Sequence, residues 1–319
     1  MPAAAEPIVR LENVKKSFGA TRAVDGLSLA VGRGEMFGVI GPDGAGKTTS
    51  LRMICGLIKP DAGTVTVAGA DPFARRRVAA GKIGYVAQRF SLYGDLSIDE
   101  NIEFFARIHG VSDFAARRTR LLALTGLEPF RTRLADRLSG GMKQKLALAC
   151  VLVHEPPVLV LDEPTTGVDP VSRREFWKLL AEFLHQGLTI VMATPYLDEA
   201  ERCGRVALIA AGKVLADDEP GRLQDQTTGK LIEVVAEHPR RALEVARAAA
   251  GAARVQLFGD RLHVRIATDR EFDPVLNALK QAGITVSDWR PIRPTLEDVF
   301  IDRLAAEAKP AGASTERAL

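Results

Sequence analysis

The chain has 319 residues, 46% of them hydrophobic and 26% charged, with a formal net charge of +3, the makeup of an ordinary globular protein with room for one large domain or two. So small an excess argues against nucleic acid as a partner, and no run approaches the roughly 18 to 20 apolar residues of a membrane span. Cys55, Cys150 and Cys203 lie far apart, without the spacing of a metal site or a disulfide framework, and MPAAAEPIVR lacks the apolar core of a signal peptide, so the expectation is a cytosolic protein.

In chain order, residues 8–11 and 27–31 read as short strands, and 36–40 as a buried parallel strand running into a glycine-rich loop. Residues 50–58 read as a helix, and 64–68 and 83–87 as strands. The pattern then turns helical, with 98–108, 115–124 and 141–153 as helices, before strands at 158–161, 188–193 and 206–209. A nucleotide-type α/β core interrupted by a helical insert follows from this order. Beyond it, strand 232–235, helix 240–250, strands 254–258 and 262–266, helix 274–281 and strand 284–287 make β-α-β-β-α-β, the ferredoxin-like split repeat, with Gly259-Asp260 as its hairpin turn. A short helix at 295–305 closes it, and the polar KPAGASTERAL is expected to be disordered. The domain plan is therefore an α/β domain over 1–225 with its helical part at about 89–153, a small α+β domain over 226–306, and a tail over 307–319.

The strongest motif is G-P-D-G-A-G-K-T, residues 41–48. It matches the G-x-x-x-x-G-K-[ST] phosphate loop and stands where such a loop must, after a buried strand and before a helix. Gly41, Pro42, Asp43, Gly44, Ala45 and Gly46 bring backbone N–H groups around an anion, and the following helix adds its positive end. Lys47 reaches toward the β- and γ-phosphates, Thr48 offers a hydroxyl to Mg²⁺, and Thr49 extends the phosphate-binding set. The run V-L-V-L-D-E, residues 158–163, delivers two carboxylates at the end of a second buried strand. Asp162 suits metal support, and Glu163 is placed to orient or deprotonate an attacking water.

L-S-G-G-M-K-Q, residues 138–144, sets Ser139, Gly140 and Gly141 at the mouth of a helix, a second anion-binding arrangement. One chain needs one such loop for its own nucleotide, so the second suggests a site shared with another copy. With the phosphate loop, this L-S-G-G-x-x-Q signature and the D-E pair in that order, the sequence resembles the ATP-binding subunits of ABC transporters over residues 7–220. The resemblance implies an α/β P-loop NTPase core of the ABC ATPase type, ATP and Mg²⁺ as cofactors, and a head-to-tail dimer. In that dimer Ser139, Gly140 and Gly141 contact the γ-phosphate bound by the other subunit, an identical copy or a related ATPase. It further implies that Phe18 stacks on adenine, though a Phe in such a strand also suits the core. Gln88, ending G-Y-V-A-Q, would sense Mg²⁺ and take part in catalysis beside Glu163, and Asp169, in T-G-V-D-P, would cross the dimer interface.

The family pairs its ATPase subunits with separate integral-membrane permeases, which would put this chain on the inner face of the cell membrane. The insert after Gln88, beginning R-F-S-L-Y-G-D-L-S, would receive a permease helix, or its apolar residues would serve as insert core. The ending P-T-L-E-D-V-F-I, residues 294–301, resembles ATPases that serve ABC-2 type exporters of drugs and other small molecules. A soluble ABC ATPase and an importer subunit are the alternatives. Two departures stand out: Asp43 occupies a slot where the family often has Asn, a carboxylate that must turn outward or cap the loop. Pro195 occupies the slot of a histidine that contacts the γ-phosphate, and a proline has no side-chain group to do so. Either hydrolysis is slowed, or Glu163 and Gln88 suffice; the expectation is reduced but real turnover.

Overall fold

The structure, a computed structural model, describes residues 6–74, 76–88, 92–227 and 229–307. The chain divides into two compact units, Met1–Glu219 and Pro220–Leu319.

The first unit opens with two long strands, β1 (Val9–Phe18) and β2 (Thr21–Val31), which pair antiparallel through a tight hairpin. Strand β3 (Met36–Ile40), helix α1 (Lys47–Ile54) and strand β4 (Ala62–Val67) follow, then α2 (Arg76–Ala80) and β5 (Ile83–Val86). The helical insert contributes α3 (Ile98–Ile108), α4 (Ala115–Thr125) and α5 (Gly140–Leu152). The core resumes with β6 (Val158–Asp162), α6 (Pro170–His185), β7 (Thr189–Thr194), the single turn α7 (Leu197–Ala200), β8 (Arg205–Ala210) and β9 (Lys213–Asp218). Six strands form one sheet in the order β5-β6-β7-β3-β8-β9, parallel except for β9, and β2-β1-β4 form a separate antiparallel sheet.

All five residues of β3 and of β6 are buried, as strands covered on both faces must be. Leu51, Met53 and Ile54 of α1 enter the same core as Val9, Leu11 and Leu27 of the antiparallel sheet and Phe37 and Val39 of β3. Burial of that kind contributes about 1.5–3 kcal/mol per large side chain, and it seats α1 against the strand that feeds it.

In the insert, α3 starts with a reciprocal cap. The Ser97 N–H donates to Glu100 Oε2 at 2.8 Å and the Glu100 N–H to Ser97 Oγ at 3.3 Å, the S-x-x-E arrangement that satisfies two otherwise orphaned donors. The fully buried Asn101 accepts from the Tyr93 N–H and donates to the carbonyls of Tyr93, Leu96 and Ser97, tying the entry loop to the helix. Residues 89–91, where the sequence places the start of the insert, lie outside the described residues.

Where the insert meets the core, the rings of His109 and His154 stack 3.7 Å apart and nearly parallel. Burial, and then the neighbouring His109, push the His154 imidazole down to about 4. Unfolded, it titrates near 6.5, so the neutral form is favoured in the fold, and the stability tied to it is present above about 6.5 and lost as pH falls toward 4. His154→Phe, which keeps a ring against His109, is expected to flatten the fall of the urea midpoint between those two pH values.

The second unit runs α8 (Pro220–Asp225), β10 (Lys230–Ala236), α9 (Pro239–Ala250), β11 (Val255–Phe258), β12 (Arg261–Ile266), α10 (Asp273–Gln281), β13 (Val286–Ile292) and α11 (Leu296–Glu307). Its sheet has the order β11-β12-β10-β13, every neighbouring pair antiparallel. Ile232, Val234, Val264 and Phe272 are among the residues of its own core. The P-T-L-E-D stretch acts as a helix start here: the Thr295 N–H and hydroxyl donate to Asp298 Oδ2 at 2.8 and 2.7 Å. The other Asp298 oxygen lies 3.1 Å from Nδ1 of the buried His263 of β12. Burial works to raise the Asp298 carboxyl, but the bonds from His263 and Thr295 outweigh it and hold it below the usual range.

Several expected bounds change. The first two strands are longer than 8–11 and 27–31, because their outer halves pair with each other while burying only Val14 and Val24, too few apolar positions to mark a strand. Helix α1 begins at Lys47, not 50, so the lysine and Thr48 belong to its first turn. The last strand covers 286–292 instead of 284–287, and its five central residues are exposed, which erases the apolar signal. Helix α8 falls in the second unit, where the sequence boundary near 225 put it in the first. Of the expected tail, Glu307 ends α11 and residues 308–319 lie outside the described residues.

Candidate functional site

The loop between β3 and α1 is held on three sides. The Gly212 N–H donates to the Ala45 carbonyl at 3.0 Å. A Cβ on Gly41 would stand 2.2 Å from the Ile209 carbonyl oxygen, and one on Gly46 2.5 Å from that of Ala23. Gly46 has φ +102° and forms the N-cap of α1, so only glycine fits both the angle and the space. The backbone is thus pressed against its neighbours on one side and leaves the N-terminal N–H groups of α1 facing out of the other.

Lys47 is 5% exposed and bends back over this loop. Its Nζ donates to the Gly41 carbonyl at 2.8 Å and the Pro42 carbonyl at 3.1 Å, and lies 3.6 Å from Glu163 Oε1 and 3.8 Å from Asp43 Oδ1. An ammonium so buried requires oxygen partners, and every one of these is an oxygen at the loop mouth. Asp43 itself is 97% exposed in its side chain, so its charge stays in solvent even with one oxygen within 3.8 Å of Lys47.

Strands β6, β7 and β3 are parallel and adjacent, with Leu161 level with Met192, Asp162 with Ala193, and Ile40 with Thr194. That register brings the β6 acids to the loop 114 residues away: Thr48 Oγ1 donates to Asp162 Oδ1 at 2.9 Å. Tyr85, from β5, donates to the other Asp162 oxygen at 3.3 Å, and burial, then the charge of Asp162, push the phenol up to about 12. Glu163 follows with φ +50°, a left-handed conformation uncommon outside glycine, its N–H held by the Ala193 carbonyl at 2.9 Å. Gln88 Nε2 donates to Glu163 Oε2 at 2.9 Å. Phosphate loop, Asp162, Glu163 and Gln88 are therefore one cluster.

Other expected site residues stand apart from it. Ser139 caps α5, its Oγ accepting from the Met142 N–H at 3.3 Å; Ser139 and Gly140 are exposed. Gly141 is buried, and a Cβ there would stand 2.4 Å from Ser172 Oγ, so the signature helix touches the start of α6. Asp169 caps α6, accepting from Val171 and Ser172 N–H at 3.0 and 2.9 Å. Bonds from Ser172 and then Val171 hold its carboxyl below the usual range. Phe18 is 50% exposed at the tip of the β1–β2 hairpin, with Lys16 Nζ 5.7 Å from its ring centre; it is not part of the core. Pro195 is half-buried, directly after the last residue of β7.

Sequence reasoning left Tyr85, Thr165, Arg173 and Glu199 unassigned. Tyr85 stands three residues before Gln88, on β5, which ends at Val86. Glu199 lies inside Y-L-D-E-A-E and is fully buried, which no helical or strand pattern in so short a segment discloses.

The oxygen pair of Thr48 and Asp162 fits Mg²⁺, which takes one or two protein oxygens and completes its shell with phosphate and water. Among the described residues no group of three or more His, Cys, Asp or Glu could hold a metal by itself, so a cation here would depend on the nucleotide.

A parallel sheet with a glycine-built phosphate loop, a Thr–Asp pair and a Glu–Gln pair at one edge defines a P-loop nucleotide-binding protein. The profile of the family described as ABC transporter matches residues 24–166. The chain is 39% identical over 309 residues to the probable multidrug ABC transporter ATP-binding protein YbhF of Escherichia coli (strain K12), covering 94% of this chain and 52% of that protein. It is also 39% identical over 305 residues to the daunorubicin resistance ATP-binding protein DrrA2 of Streptomyces coeruleorubidus, covering 92% and 94%. The dimeric ATP-binding cassette MJ0796, solved in a post-hydrolysis state with ADP and Pi, matches with TM-score 0.60 and 28% identity over 66% of this chain and 98% of that one. The chain belongs to the ATP-binding proteins of the ABC transporter family. It spans about half the length of YbhF and nearly all of DrrA2.

Proposed function

We propose that the chain binds and hydrolyses ATP to energise a membrane exporter of the ABC-2 type. The observation that carries this reading is the joining of Lys47, Thr48, Asp162, Glu163 and Gln88 at one sheet edge by bonds and contacts of 2.9–3.6 Å. The printed names of YbhF and DrrA2, multidrug transport and daunorubicin resistance, support export of drugs or other small molecules over an importer or a soluble role.

In this reading Gly41, Pro42, Asp43, Gly44, Ala45 and Gly46 wrap the phosphates with backbone N–H groups, and Thr49 extends the wrap. Lys47 leaves its carbonyl partners for phosphate oxygens, and Phe18, already exposed, stacks on the adenine. Thr48 and Asp162, with Gln88 alongside, would hold Mg²⁺, which would supply charge neutralisation at the phosphates. Glu163 takes a proton from the attacking water, and Gln88, bonded to Glu163, orients that carboxylate. Pro195 contributes no proton-carrying group, so turnover is slower than an added imidazole would allow.

The exposed Ser139 and Gly140, with Gly141 behind them, would grip the γ-phosphate held by another ATPase subunit, with Asp169 at the joint between the two. The dimeric MJ0796 cassette supports a paired arrangement. No described helix is long and apolar enough to cross a membrane, so the exporter reading calls for separate permease subunits, with this chain peripheral on the cytoplasmic face. The β-α-β-β-α-β second unit has the strand order of a ferredoxin-like domain and is read as an accessory domain.

Lys47→Ala tests the reading. With Mg²⁺ present, the parent chain is expected to release phosphate from ATP and the variant to lose both turnover and nucleotide binding, by at least about a hundredfold in affinity. Equal phosphate release by the two would defeat the ATPase assignment, and failure to co-purify with any multispanning membrane protein from mild detergent would defeat the exporter assignment.

A further inference from the structure

One buried charge in the first unit takes no part in the site described above. Glu199, in α7, is 0% exposed. Its carboxylate accepts from three elements: the Thr194 hydroxyl at 2.6 Å, the Thr165 hydroxyl, and Arg173 Nε at 2.8 Å. A buried carboxylate left without donors would be strongly destabilising, whereas one with every oxygen satisfied makes a stiff node.

The donors occupy telling positions. Thr165 lies two residues past Glu163, and Thr194 immediately precedes Pro195. Arg173 is in the first turn of α6, the helix capped by Asp169 and touched by the signature glycine Gly141 through Ser172. Thr194 Oγ1 also accepts the Tyr196 N–H at 3.1 Å. The Arg173 guanidinium lies 5.0 Å from the centre of the Tyr196 ring, and its second nitrogen donates to Asp198 at 2.7 Å. The Pro195 turn is thus gripped from its backbone, its following ring and its following helix, all by groups that run back to α6.

We propose that Arg173 and Glu199 are positioning residues that hold the Pro195–Tyr196 turn at the phosphate edge and lock it to the first turn of α6, so that turn and helix shift as one body when nucleotide binds. The inference rests on the ATPase reading. It also gives that turn a task without a proton-carrying side chain: the turn transmits phosphate occupancy to the helix that carries Asp169 and abuts the signature.

The experiment combines turnover with fluorescence. The chain has two tryptophans; Trp177, one helical turn beyond Arg173 and 5% exposed, reports on α6 once Trp289 is replaced by Phe. Arg173→Ala is expected to lower kcat roughly tenfold while KM for ATP stays within about twofold, and Arg173→Lys, which keeps the charge facing Glu199, to recover to within about threefold of the parent. Added MgATP is expected to change Trp177 emission in the Trp289→Phe chain and not when Arg173→Ala is added, at concentrations where radiolabelled ATP loads both.

Should Arg173→Ala not fold, the surface change Tyr196→Ala takes its place, with about a threefold loss of kcat expected. A kcat within twofold of the parent for the folded variants overturns the proposal. So does a Trp177 response to ATP that survives Arg173→Ala. A parent chain that loads ATP and turns none over would defeat the ATPase reading instead, and the fluorescence response would still decide the coupling.

Discussion

Glu163→Gln is expected to load ATP as the parent chain does and to turn it over about 10² to 10³ times more slowly, the contribution usual for a positioned general base. The side chain is 10% exposed, accepts from Gln88 at 2.9 Å, and lies 3.6 Å from Lys47. An amide of the same shape can still accept the Gln88 N–H through its oxygen but cannot take a proton from water. The backbone adds its own mark: at φ +50° Glu163 occupies a conformation costing a non-glycine residue about 1–2 kcal/mol, strain of the kind that collects at working sites. The absence of an imidazole at position 195 sharpens the test, because no histidine at that slot can stand in as the base. Phosphate release under saturating MgATP, beside equilibrium binding of labelled ATP, measures both halves. Equal turnover in parent and variant would remove Glu163 from the role of base.

The second large effect is expected from Gly46→Ala. The added Cβ meets the Ala23 carbonyl at 2.5 Å while the backbone stays at φ +102°, so neither a rotamer change nor a side-chain shift relieves it. Strain and displacement together should destabilise the first unit by about 3 kcal/mol, read as a fall in thermal midpoint of about 6–12 °C. Nucleotide affinity should fall at least about tenfold with it, because the N–H groups of the loop and of α1 lose their common direction. Gly44→Ala is the control: its φ of +78° carries angular strain, but its Cβ meets nothing within 4 Å, so it should cost about 1 kcal/mol. If the two variants melt together, close approach to Ala23 does not explain the glycine at 46.

How far these residues could be read beforehand depends on how local their cause is. The phosphate loop and the V-L-V-L-D-E run are contiguous, and their glycines, lysine and acids have few other reasons to occur in that order after buried strands. The same holds for α3, whose S-x-x-E cap and apolar face lie within twelve residues, and its expected bounds, 98–108, match the helix. Strand β13 differs from its expected bounds because its exposed Ser287 to Pro291 carry no apolar alternation, and the pairing to β10 that makes them a strand is not local in sequence. Helix α6 carries local cues that the sequence analysis does not use, Asp169 as its cap and Pro170 at its first position, whereas the unit to which the six-residue α8 belongs shows only in packing.

The sequence by itself determined the family, the parallel core with its helical insert, the chemistry available at the phosphate loop and at Asp162 and Glu163, and the missing imidazole at Pro195. Each of these is written in residues close along the chain, where backbone geometry and side-chain type speak directly. Only the tertiary structure decided that Tyr85 supports Asp162, that Lys47 faces Glu163, that Asp43 stays in solvent within ion-pair reach of Lys47, and that Glu199 gathers Thr165, Thr194 and Arg173 into one node. Those contacts join segments up to 116 residues apart, Lys47 and Glu163 being the most distant. Their distances are set by the register of β5, β6, β7 and β3 and by what is buried between them, and no single stretch of chain encodes either.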